Sequence, residues 1–178
     1  DGQLDVDLLP VTRESRIVGV HFSRKLHPYA LPQGLRILRI KSAHTVILDM
    51  HVLQRGLQVM SVRGKVYVPI GVEFPSQLRS LSLAEFELPL RAGVLPQTLH
   101  SLILHTDFKH AMNPHVLPAG LRLFQTGDDF NRVIHRHMLP TGLLTLTLGA
   151  RINQPLHAHA FPDEMNTLTF GASFNQPV

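Results

Sequence analysis

Twelve histidines in 178 residues are the feature of this sequence that most resembles chemistry. His135 and His137, and again His157 and His159, stand two apart, a spacing that puts both imidazoles on one face of an extended strand. A coil with a period near 22 residues would bring these four, with His110 and His115, to one edge. Imidazole nitrogens in such a row could take a transition metal. Cysteine is absent, which removes thiolate ligands and disulfides, and the carboxylates stand elsewhere in the sequence. The histidines therefore read as a solvated edge, and no metal or other cofactor is expected.

Nucleophilic chemistry finds less support. Ser80, Ser82 and Ser101 are present, but no Gly-x-Ser-x-Gly elbow lifts a serine onto a strained turn. No glycine-rich loop precedes a helical pattern to cradle phosphate. Asp128-Asp129 reads as a solvated loop pair, and Asp7 and Glu14 fall in an irregular opening stretch. The sequence predicts a chain that is not an enzyme.

Composition limits what can position any of these groups. Hydrophobic residues make up 44%, aromatics only 6%, and tryptophan is absent. A leucine-dominated core with few large rings suits many thin, equivalent layers better than one globular centre, and the length fits a single domain. Net charge is +4, yet the longest basic cluster is Arg24-Lys25. Nucleic-acid binders usually gather Lys and Arg more densely, so a protein partner is expected and nucleic acid is the lesser alternative. No apolar run reaches the ~18 residues of a membrane span, and no signal-peptide layout opens the sequence. The expected compartment is cytoplasmic, with no membrane partner. Because residue 1 is Asp, the sequence reads as part of a longer protein.

The elements that must carry these residues are set by a repeat. Segments of the form L-P-x-x-L-x-x-L-x-L begin at Leu31, Leu95, Leu117 and Leu139, with degenerate copies at Leu53, Phe74 and Phe161. Their second residues, from Pro32 to Pro162, are 21 or 22 apart. Three apolar columns follow in register. The first holds Leu35, Leu57, Leu78, Leu99, Leu121, Leu143 and Met165; the second Leu38, Met60, Leu81, Leu102, Phe124, Leu146 and Leu168. The third holds Ile40, Val62, Leu83, Leu104, Thr126, Leu148 and Phe170, so Thr126 is the one polar intruder. The copies divide the chain into repeats 31–52, 53–73, 74–94, 95–116, 117–138, 139–160 and 161–178, after an atypical first turn 1–30. In that first turn Val18 and Val20 are assigned to the second and third columns, and Pro10 then stands two residues too early.

Residues two apart, such as Leu146 and Leu148, share one face of a strand. A proline just before the strand is tolerated because it precedes the ladder, and it keeps the residue before it extended. Each turn thus supplies one short strand, and turns stack them into a parallel sheet at ~4.8 Å per step. A single turn buries too little apolar surface to offset the entropy of ordering its backbone. Stacking buries both sides of every layer and makes the array cooperative. A second apolar motif closes the core from the back, reading Ile152-Asn153-Gln154-Pro155-Leu156 and Phe174-Asn175-Gln176-Pro177-Val178, with weaker copies from Phe130, Phe108, Phe86 and Val66. Proline inside this motif excludes a long helix, so the back is expected to be extended or 3₁₀. The predicted fold is mostly β: a right-handed, leucine-rich-repeat-like solenoid with a parallel sheet and little α-helix.

With L-P-x-x-L-x-x-L-x-L followed by G-x-x-F-N-Q-P, the sequence resembles the FNIP repeat family, a relative of leucine-rich repeats. Leu139 to Leu156 and Pro162 to Val178 carry the likeness, Gly149 and Gly171 included. It departs between Leu53 and Met112, where Tyr67, Glu87 and Lys109 replace the Asn. The resemblance implies a scaffold for protein–protein contact and brings no catalytic residues. A second likeness is to the L-P-x-x-L repeats of bacterial secreted effectors, which usually carry an Asn after the strand that is missing here at 41–44, 63–66 and 84–87.

The strand residues that alternate with the columns should form a concave solvent face. It is basic toward the N-terminal end (Arg39, Lys41, Arg63) and rich in small hydroxyl side chains toward the C-terminal end (Thr145, Thr147, Thr167, Thr169). Ile37, Arg39, Lys41, Val59, Arg63, Ile103 and His105 are the predicted partner-binding residues, fit for an acidic protein segment. The alternative is a structural subunit of a large assembly, with RNA contact through the basic end. The C-terminal layer around Phe170, Phe174 and Val178 has nothing polar after it and is expected to be covered by further chain or a partner.

Overall fold

A computed structural model describes residues 31–48, 53, 55–69, 73–86, 88–106, 108–157 and 159–177, with the backbone of 15–18. These residues hold nine strands: β1 (Ser15–Val18), β2 (Ile37–Lys41), β3 (Val46–Ile47), β4 (Val59–Tyr67), β5 (Ser80–Phe86), β6 (Ser101–Leu104), β7 (Leu123–Gln125), β8 (Thr145–Thr147) and β9 (Thr167–Thr169). Apart from β3, which pairs only with β4, they lie side by side in chain order in one parallel sheet. The columns are the ladder itself: Leu38 pairs with Met60, Met60 with Leu81, Leu81 with Leu102, and so on to Leu146 with Leu168. From Leu35 to Leu148 every column member is buried; in the last turn Met165, Leu168 and Phe170 are partly so. No helix occurs among the described residues.

Three kinds of tight turn bend the coils, and each has its own sequence cause. In L-P-x-x-L the column leucine donates its N–H to the proline carbonyl, as from Leu99 to Pro96 and Leu143 to Pro140 (3.1 and 3.0 Å). After the strand, G-x-x-F closes from Phe130 to Gly127 and from Phe174 to Gly171 (both 3.1 Å). The third turn ends the four repeats from 74 to 160, with Val94 donating to Arg91, Val116 to Asn113, Met138 to His135 and Ala160 to His157. Its third residue has positive φ: Gly93 (83°), His115 (64°), His137 (68°) and His159 (61°). That is the φ signature of a type II turn.

The back of the solenoid is built differently in its two halves. Toward the N-terminus it is extended: Val46 and Ile47 pair with Val66 and Tyr67, and Val66 pairs with Phe86. β4 turns this corner through an irregularity at Gly64, whose φ is 133° and whose Cβ, if it had one, would meet the Ser42 carbonyl oxygen. Toward the C-terminus the backbone ladder gives way to packing and side-chain bonds. Phe86, Phe108 and Phe130 stack layer on layer, with centroids 6.3 and 6.1 Å apart and rings within 15° of parallel.

Two expectations are corrected. The one-strand-per-turn rule fails where β4 runs nine residues and the preceding turn carries both β2 and β3, because apolar residues continue past the corner and Gly64 lets the strand follow. The first turn also sits two residues from its expected register. Val18 pairs with Ile40 in the third column, and Arg16 holds the place opposite Leu38. A two-residue slip keeps the same residues on the same face, so apolar spacing could not detect it. Counted from Val18, Pro10 stands eight residues upstream, as Pro32 does from Ile40, and the period of 22 holds in sequence from the first strand.

Candidate binding surface

Strand alternation puts one set of residues outward, and the parallel register lines them into rows across the sheet. One row reads Ile37, Val59, Ser80, Ser101, Leu123, Thr145 and Thr167; the next reads Arg39, Ser61, Ser82, Ile103, Gln125, Thr147 and Thr169. A third begins with the register pair Lys41 and Arg63 and continues one residue past Leu83 and Leu104 with Ala84 and His105. These rows hold no carboxylate. Arg39, Lys41, Arg63 and His105 are exposed, and Ile37, Val59 and Ile103 are half-buried.

Four of the seven predicted residues come together. Lys41, Arg63 and His105 line a shallow groove of about 590 Å³, and Arg39 stands two residues before Lys41 on β2. Gly64 and Ala84 also line the groove, and among the described residues Glu85 is its one carboxylate. From β2 to β6 the row spans three strand steps, roughly 14 Å at ~4.8 Å each. The Ser82 hydroxyl and His105 Nε2 are 3.1 Å apart, which fixes the imidazole over the sheet. Among the described residues Arg39, Lys41 and Arg63 make no ion pair. Ile37 and Val59 are register partners at the strand starts, and Ile103 lies apart from them on β6.

The outward face does not continue into Gly127, Gly149 and Gly171, which the alternation places on it. Gly127 and Gly149 are buried. A Cβ on Gly127 would run into the carbonyl oxygen of His105, one on Gly149 into that of Gly127, and one on Gly171 into that of Gly149. At this row the chain has already entered the G-x-x-F turn. Asp128 and Asp129 are likewise more than solvated loop residues: Asp128 accepts the Ala150 N–H at 3.2 Å, and Asp129 pairs with Arg151 at 2.8 Å.

The histidine edge exists as an edge and not as a cluster. The His135 and His157 rings lie 5.4 Å apart, and His110 packs against the edge of Phe108 at 6.0 Å. His115, His137 and His159 are set by their turn conformation. Among the described residues no three His, Asp or Glu gather as metal ligands would.

Sequence reasoning passed over one repeated contact. Asn131 Oδ1 accepts both the Asn153 N–H and the Gln154 side-chain amide, each at 3.0 Å. Asn153 Oδ1 does the same for Asn175 and Gln176, at 3.0 and 2.9 Å. The recurring N-Q was the available signal: an amide at fixed period on stacked turns is placed to bond its own copy.

A family model described as FNIP Repeat matches residues 69–107. Residues 69–107 are similar to the FNIP repeat. The match falls on turns that lack the N-Q dipeptide, so the apolar spacing identifies this solenoid more than the amide ladder does. Among solved structures, the solenoid is similar to the crystal structure of CroV588, described as a novel circular LRR protein, with 25% identity and a TM-score of 0.70. That likeness covers 92% of this chain and 28% of the other, so the solenoid spans under a third of its neighbour's length. No curated protein matches it. Among the described residues no helix is long and apolar enough to cross a membrane.

Proposed function

We propose that this solenoid is a non-catalytic scaffold that holds a protein partner on the solvent face of its sheet, with no cofactor, in the cytoplasm. The observation that carries the reading is a wide strand face bearing three exposed cations that make no ion pair among the described residues, with no carboxylate in its rows. A surface meant only for solubility mixes its charges; this one separates them. The repeat fold supports the same reading, since stacked strands make extended surfaces for macromolecules. The absence of cysteine fits a reducing compartment.

The test is photo-cross-linking in cells. A photoreactive residue at Ser82, on the sheet face, is expected to capture a discrete protein, and one at Arg132, on the back, is not. Capture from Arg132 alone, or from neither position, would overturn the reading.

A further inference from the structure

We infer that the groove across β2, β4, β5 and β6 takes an extended acidic protein segment, laid along the solenoid axis over Lys41, Arg63 and His105. This rests on the scaffold reading and names the chemistry of its partner. Lys41 and Arg63 are register neighbours, so their charges stand one strand step apart, and His105 lies two steps further on. An extended peptide places same-side residues about 7 Å apart, which is commensurate with Lys41, Arg63 and His105 spread along ~14 Å. Gly64 and Ala84, which also line the groove, add no long side chain in the segment's way. The neighbouring row offers the Ser61 hydroxyl for a hydrogen bond, while Ser82 holds His105. Nothing in the rows repels an acid. Among the described residues the one opposing charge at the groove is Glu85, and removing it should improve the fit.

Charge complementarity also selects against the rival polyanion. A nucleic acid takes its affinity from many phosphate contacts, whereas this strip offers Arg39, Lys41, Arg63 and His105 and then passes into threonine and glutamine.

Fluorescence anisotropy with a labelled peptide of ten glutamates tests this, beside a single-stranded RNA of ten uridines. The peptide is expected to bind saturably and more weakly as salt rises. K41E/R63E is expected to bind it at least tenfold more weakly, at about two- to fivefold per exposed charge pair lost and further loss from repulsion. E85Q is expected to bind two- to fivefold more tightly, on the same scale. Circular dichroism checks that both variants fold, and E85Q decides the matter should K41E/R63E fail to. Absence of saturable binding, or an affinity indifferent to these substitutions, overturns the inference. So does tighter binding of the RNA than of the peptide. Capture of a protein from Ser82 alongside any of those results would leave the scaffold reading standing and remove only its acidic partner.

Discussion

The Gly149 N–H donates to Thr126 Oγ1 over 2.9 Å, inside the core and across neighbouring turns. Thr126 is the polar intruder in an otherwise apolar column, and it is only 2% exposed. Its hydroxyl sits where the sheet ends and the chain bends into G-x-x-F, so the amide it satisfies has no ladder carbonyl of its own.

T126V removes that acceptor at almost constant volume and leaves the Gly149 amide unsatisfied in the core. The expected cost is about 1–3 kcal/mol. T126S keeps the oxygen and should lose less. Urea denaturation of the two variants checks the ordering, and equal losses would count against the hydrogen bond.

Glycines in this chain differ sharply in what they tolerate. G149A drives a methyl into the Gly127 carbonyl and should cost about 1–3 kcal/mol or more, as overpacking does. A Cβ on Gly56 meets nothing within 4 Å, so G56A should be neutral or stabilise by about 0.4–1 kcal/mol through the unfolded chain. Thermal melts of both variants give the comparison.

Asn153 is the middle rung of the amide ladder, accepting two bonds from the following turn. N153A should cost about 1–2 kcal/mol, since each bond contributes about 0.5–1.5 kcal/mol net. N153D retains an acceptor oxygen and should recover much of the loss. Hydrogen exchange at the Asn175 amide is the direct readout: it should quicken in N153A and stay protected in N153D.

His137 sits at φ 68° in the position that Gly93 occupies in an earlier turn. H137G is expected to be neutral or to stabilise by up to about 1 kcal/mol, as left-handed strain is relieved against the entropy of glycine. H137V puts a β-branched residue where that conformation is an outlier and should destabilise. Neither change should alter peptide binding at the sheet face, which lies on a different side of the coil. Melting curves and the anisotropy assay together check both halves.

The fold was legible because its cause is local and repeated. Leu38, Met60, Leu81 and Leu102 announce the sheet by type and period, and their pairing follows from stacking identical turns. The exposed cations were legible too, since strand alternation decides that Arg39 faces out when Leu38 and Ile40 face in.

The sequence alone therefore determined the period, the columns and the side of the sheet on which each strand residue stands. Only the tertiary structure decided where alternation stops, which register the first strand takes, and which side chains bond from turn to turn. Gly127 shows the difference: by sequence it continues an outward row, and in space it is buried under the carbonyl of His105. Arg16 shows it again, opposite Leu38 in the ladder although apolar spacing assigned Val18 to that place. Periodicity records which face a residue takes. Contacts between turns depend on distances of a few ångströms across residues about 22 apart, and outside the repeating columns and the N-Q pairs local spacing does not set those distances.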